Sequence, residues 1–270
     1  MAEQATRVIA PDVSDRSLAD LVRLDGRGAV VTGAARGLGR AIAMRLAELG
    51  AGVLVADLDH AAAAQTAADL PFEAGRAIAL DVRDPDAMAA AADEAAATFG
   101  SLDVWVNNAG IFPPAHPLRA PKELFEQILS VNVTGTQLGA QAAAAHMQRA
   151  GRGVIVNIAS TAAYRGAGAY SASKWAVRGL TSGLAAQLGP SGIRVVGVAP
   201  SLVATPGTGA VREGGGERMA DVFSALVDSL PLGREGQPDD IARVVAFLAG
   251  DAAAFITGVT LPVDGGELTQ

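Results

Sequence analysis

No cysteine occurs among the 270 residues, so disulfides, thiolate nucleophiles and Cys-ligated metals are excluded. The three histidines, His60, His116 and His146, lack metal-ligand spacing and read as surface residues, so no metal site is expected. No apolar run is long enough to span a membrane. The mean hydropathy of +0.29 comes largely from alanine runs at 61–64, 89–92 and 142–145, which favour helix. A dense basic run is also missing, and a net charge of −7 argues against a nucleic-acid surface. The first 25 residues are polar and do not resemble a signal peptide. A soluble cytoplasmic protein with a small-molecule partner is the expectation.

What is present is a regular alternation. Short β-rich apolar runs at 29–32, 53–57, 77–82, 104–107, 154–158, 194–198 and 259–263 are separated by longer amphipathic, alanine-rich stretches. Helices are predicted over 38–49, 60–69, 86–99, 122–149, 170–188 and 239–249. This pattern predicts an α/β fold, a Rossmann-like doubly wound sheet of about seven parallel strands flanked by helices. No linker divides it, so an N-terminal extension, 1–25, and one domain, 26–270, are expected. The segment 206–217, rich in glycine, reads as a loop, either a substrate lid or plain surface, with a helix at 218–229.

Two tyrosines and two lysines occur in the whole chain, and one of each stand four apart in Tyr170-Ser171-Ala172-Ser173-Lys174. On a helix that spacing places the ammonium beside the phenol, where a cation would lower the tyrosine pKa and fit it for acid/base work. Tyr164 has Gly168 four residues later and no such support; it lines a pocket or packs. Upstream, Thr32-Gly33-Ala34-Ala35-Arg36-Gly37-Leu38-Gly39 joins the first strand to a helix. Glycines there allow close backbone approach, and the helix N-terminus offers free N–H groups to a pyrophosphate. Asp57 closes the second strand, near the spacing where a carboxylate binds ribose hydroxyls and repels a 2′-phosphate. Arg36 pulls toward NADP, but Asp57 should face the 2′ position directly, so NAD is expected over NADP.

Together these residues resemble the short-chain dehydrogenase/reductase family over about 26–266. Thr32 to Gly39 is similar to its glycine loop, with Gly33, Arg36, Gly37, Leu38 and Gly39 at the cofactor. Asp81 and Val82 resemble the pair that contacts adenine, and Asn107-Asn108-Ala109-Gly110 the motif that places Asn108, Ala109 and Gly110 along the cofactor. Asn132, Ser160, Tyr170 and Lys174 match the family's catalytic tetrad. The resemblance implies that Tyr170 exchanges a proton with the substrate oxygen during hydride transfer at the nicotinamide, and that Ser160 hydrogen-bonds that oxygen. It also implies that Lys174 tunes Tyr170 and holds the ribose, that Asn132 anchors a water relay, and that Pro200, Val203 and Thr205 contact the carboxamide side. The ending Leu261-Pro262-Val263-Asp264-Gly265-Gly266 resembles the last strand and turn, which implies a homotetramer.

Three positions depart from the family pattern. The loop between Ser160 and Tyr170 is shorter than is common, Val196 replaces an asparagine, and Ser201 replaces the glycine after Pro200. The expected activity is oxidation or reduction between a secondary alcohol and a ketone on a sugar, polyol, steroid or hydroxy-acid skeleton. A 3-oxoacyl-thioester reductase using NADPH is the alternative, opposed by Asp57 and by Ser191, where reductases acting on acyl carrier protein tend to carry arginine. A non-catalytic NAD-binding regulator is a third. Asp239-Asp240 reads as a helix N-terminal charge pair, and Trp175 as core or interface.

Overall fold

The computed structural model describes residues 8–9, 12–113 and 118–269. A short helix α1 (Leu18–Leu21) leads into alternating strands and helices: β1 (Gly28–Thr32), α2 (Gly37–Glu48), β2 (Gly52–Asp57), α3 (His60–Asp69), β3 (Gly75–Ala79), α4 (Pro85–Phe99) and β4 (Val104–Asn107). Then come α5 (Lys122–Leu129), α6 (Gly135–Ala150), β5 (Gly153–Ile158), α7 (Gly168–Leu188), β6 (Ile193–Pro200), α8 (Pro206–Gly214), α9 (Gly216–Ser229), α10 (Pro238–Ala249) and β7 (Thr260–Val263). All seven strands run parallel in the order β3-β2-β1-β4-β5-β6-β7. The central strands are largely apolar, with polar residues toward their carboxyl ends, because helices cover both faces.

Apolar side chains pack the helices on both faces of the sheet. On one face Ile42 and Leu46 of α2 meet Ile241, Val245 and Leu248 of α10 beneath the sheet. On the other, Ala91, Ala92 and Ala95 of α4 face Ala140, Ala143 and Met147 of α6, with Leu188 of α7 beside them. Described residues of the segment read as an extension are stitched to this body. Leu24 is fully buried, its N–H donates to Leu49 O, and Arg16 pairs with Asp251 at 2.7 Å.

Three sequence expectations are corrected. The predicted helix 122–149 is broken by a π-helical turn, Ser130–Thr134, which separates α5 from α6 and buries Asn132. The segment 206–217 is not a loop: Thr205 caps α8 through reciprocal bonds with Thr208, and local capping overrides the glycines at 207, 209 and 214 that discourage helix. The third strand ends at Ala79, three residues before the expected limit, because Asp81 to Asp84 turn on themselves, with Arg83 N–H and Asp84 N–H both bound to Asp81. For Trp175, read as core or interface, exposure of 48% removes the first alternative; the Arg178 guanidinium lies 5.4 Å from its ring centre.

Candidate active site

The strand order reverses between β1 and β4, and both strands end at one cleft of about 510 Å³ at the carboxyl edge of the sheet. Its floor is the glycine turn. Gly33 has a positive φ of 63°, and a Cβ there would lie 2.8 Å from Ala109 Cα. At Gly39 a Cβ would fall 2.3 Å from Gly33 O. Only bare backbone fits. No side chain caps the first turn of α2, so its N–H groups at Gly37, Leu38 and Gly39 are presented to the cleft. The adjoining wall is locked by Thr32, whose Oγ1 accepts from Asn108 N and Ala109 N, while Asn108 Nδ2 donates to Thr32 O and Gly33 O. A cradle of this shape fits a dinucleotide pyrophosphate.

At the far end of the cradle Asp57 is fixed by two backbone donors, Ala35 N at 3.0 Å and Asp59 N at 3.1 Å. Leu58 beside it is apolar and 71% exposed. Arg36 is exposed at the rim and makes no ion pair among the described residues. Asp81, at the same end with Val82, is held ionised chiefly by hydrogen bonding to Arg83, which lowers its pKa. Gly110, Pro200, Val203 and Thr205 line the same cleft as Ser160, Tyr170 and Lys174, with Thr205 against Gly37 of the cradle.

Tyr170 and Lys174 lie one turn apart on α7, with Lys174 Nζ 5.8 Å from the tyrosine ring centre. Ser160 and Tyr170 line the same cleft, so the short loop still delivers the serine beside the tyrosine. The expected drop in the Tyr170 pKa is not found. Burial raises it, and the nearby Ser160 hydroxyl only partly opposes that. Lys174 is itself buried, which lowers its pKa to about 8, and its ammonium donates to Ile158 O at 2.7 Å rather than to the phenol.

Asn132 stands behind the cleft and not on its wall. Its Oδ1 accepts from Ile111 N at 2.8 Å, and its Nδ2 donates to Ile111 O and to Ser173 Oγ, each at 3.0 Å. Ser173 Oγ in turn donates to Tyr170 O at 2.6 Å. This bridge from the β4 loop to the tyrosine went unread in the sequence, although the +3 spacing of Ser173 from Tyr170 was a signal. Phe112, edge-on to Tyr170 with ring centres 6.1 Å apart, was also assigned no individual role. Tyr164 packs: its hydroxyl donates to Thr260 O at 2.5 Å, and Arg178 lies over its ring. Asp239 and Asp240 do sit at the start of α10, paired with Arg45, Arg234 and Arg243. His60 is exposed, His146 is clasped by Asp93 and Arg149, and His116 lies outside the described residues. Among the described residues no three potential ligands gather into a metal site, and no helix is long and apolar enough to cross a membrane.

A parallel doubly wound sheet, a phosphate cradle at its switch point and a hydroxyl pair with a buried lysine define a dinucleotide-dependent oxidoreductase. Comparison with known proteins agrees. Residues 33–267 match the family model described as enoyl-(acyl carrier protein) reductase. The chain is 41% identical over 247 residues to the cis-4-hydroxycyclohexanecarboxylate dehydrogenase of Sinomonas cyclohexanicum, covering 89% of this chain and 96% of that one. It superposes with a TM-score of 0.85 on a 7α-hydroxysteroid dehydrogenase solved with NADH and 7-oxo glycochenodeoxycholic acid, at 33% identity, covering 93% and 98% of the two chains. A protein from Beutenbergia cavernae, assigned on trial as an NAD(P)-dependent gluconate 5-dehydrogenase and holding NADP at low occupancy, gives 0.84 at 36% identity, covering 93% and 100%. The chain belongs to the short-chain dehydrogenase/reductase family. It is an NAD(P)-dependent oxidoreductase that interconverts a secondary alcohol and a ketone.

Proposed function

We propose that this chain prefers NAD(H) and that Tyr170, Ser160, Lys174 and Asn132 carry its reaction. The observation that carries the reading is that Ser160, Tyr170 and the buried Lys174 line one cleft with the glycine cradle. A bound nicotinamide would supply or accept the hydride. Tyr170, kept protonated by burial, donates its proton to the carbonyl oxygen during reduction and takes it back during oxidation. Ser160 donates a hydrogen bond to the same oxygen as negative charge develops there. Lys174 offers a buried ammonium to the ribose side, and Asn132 holds the Ile111 backbone and Ser173 in place behind it. Asp57 and Leu58 support NAD: one repels a 2′-phosphate, and the other provides no cation for it.

Phe112 beside Tyr170 gives the substrate end an apolar wall, which favours a ring-borne alcohol over an open polyol. The relatives acting on cyclohexane and steroid skeletons point the same way. α8 and α9 serve as a lid over that end, joined to the body by Arg212 and Glu235 at 3.2 Å. Assembly as a cytoplasmic homotetramer completes the reading; β7 is a free sheet edge, with Leu261 42% exposed and Phe255 wholly so.

The test is turnover of alcohols and ketones with NAD or NADP, followed by reduced-nicotinamide absorbance. Tyr170→Phe should lower kcat by about 10²–10⁴ while cofactor still binds. Unchanged activity in that variant would end the mechanism, and a strong NADP preference would end the Asp57 argument.

A further inference from the structure

The Phe112 ring is held from two sides. It stands edge-on to Tyr170, and its far end reaches the first turn of α8. There it meets Gly207: a Cβ on that residue would lie 2.9 Å from Phe112 Cζ and 3.3 Å from Cε1. Carbon atoms in contact stand about 3.5–4.0 Å apart, so the ring occupies space that any side chain at 207 would take. The backbone gives no reason for glycine here, since Gly207 lies within α8 and has no positive φ. The reason lies in the ring.

The backbone on either side is fixed. The α8 turn is closed by the Thr205–Thr208 cap, Thr208 Oγ1 donates to Val203 O at 2.7 Å, and Ala204 N donates to Gly236 O at 2.9 Å. Pro206 and Thr205 also abut Gly37 of the cradle, where a Cβ would lie 3.5 Å and 3.6 Å from them. On the opposite side Asn132 clasps the residue before Phe112, through bonds to both Ile111 N and Ile111 O. Between these two anchored segments the phenyl ring is the part that yields.

Phe112, Tyr170 and Gly207 line one cleft. We infer that Gly207 is a specificity-determining residue: its missing side chain seats the Phe112 ring, and that seat sets the width of the slot in which a ring-borne secondary alcohol lies beside Tyr170. The inference rests on the proposed reaction at Tyr170 and its preference for ring-borne alcohols. A methyl group at 207 turns the ring toward Tyr170 and narrows the slot. A six-membered ring is then excluded before a three-carbon alcohol is.

Gly207→Ala, Phe112→Leu and the double variant are compared with wild type on cyclohexanol and 2-propanol with NAD, and NADH binding is measured separately by fluorescence. In Gly207→Ala the ratio of kcat/KM for cyclohexanol to that for 2-propanol should fall by roughly tenfold, while the Kd for NADH stays within about twofold. Leucine lacks the ring atoms that meet residue 207, so the double variant should show the same ratio as Phe112→Leu alone. An unchanged or raised ratio in Gly207→Ala, or the same fall when Phe112→Leu is also present, would overturn the inference. If Gly207→Ala does not fold, the widened slot of Phe112→Leu carries the test: its kcat/KM for 4-tert-butylcyclohexanol relative to cyclohexanol should rise by roughly tenfold, and an unchanged value overturns the inference. Wild type that turned over neither alcohol, nor either ketone in reverse, would instead overturn the proposed reaction, and this inference with it.

Discussion

At the scale of single residues, Lys174 has the most consequential environment. Its pKa falls to about 8 on burial, so the folded state resists its charge while the unfolded chain does not. Between about pH 8 and the unfolded value of 10.5 the unfolded state holds more protons, and stability rises with pH. Urea denaturation from pH 7.5 to 9.5 should therefore show that rise in wild type and lose it in Lys174→Met. A flat wild-type profile would refute the buried ammonium. Tyr170 contributes in the opposite sense, its raised pKa favouring the folded state below pH 10 and losing that effect above it. At the other end of the cleft, Asp57→Asn keeps the side-chain shape and removes the charge. The ratio of kcat/KM for NAD to that for NADP should fall by roughly tenfold or more; no change would show that Asp57 does not face the 2′ position.

At the scale of elements, the π-helical turn between α5 and α6 explains why Asn132 can serve two partners. A regular helix there would carry one continuous ladder; the wider turn lets a buried amide reach Ile111 on one side and Ser173 on the other. Asn132→Ala leaves those groups unpaired, at a cost of about 1–3 kcal/mol for each buried group. Urea midpoints should drop accordingly and kcat should fall with them; retention of both would mean that water replaces the amide without loss. The location of β1, β2 and β4 was legible because strands buried on both faces are written as unbroken apolar runs. The break at Ser130 was not, since hydrophobic spacing continues through it and only packing against Ile111 and α7 selects the turn. For α8 the sequence misled, because glycine content outweighed the Thr205–Thr208 cap in the reading.

At the scale of the whole molecule, the parallel sheet gathers residues separated by most of the chain. Arg16 meets Asp251, and Arg165 meets Glu267, pairings with no local signature. The β7 edge leads to a measurable assembly: with Leu261 and Phe255 changed to lysine, light scattering should report smaller species than the proposed tetramer. An unchanged mass would place the interface elsewhere. By itself the sequence determined the α/β class, the glycine cradle, Asp57 and the order of Asn132, Ser160, Tyr170 and Lys174, because these depend on backbone sterics and on spacing along single elements. Only the tertiary structure decided the protonation of the tyrosine, the bridge from Asn132 through Ser173, and the pairing of Arg165 with Glu267. Burial and long-range hydrogen bonding are set by which elements pack together, and spacing along the chain does not encode that.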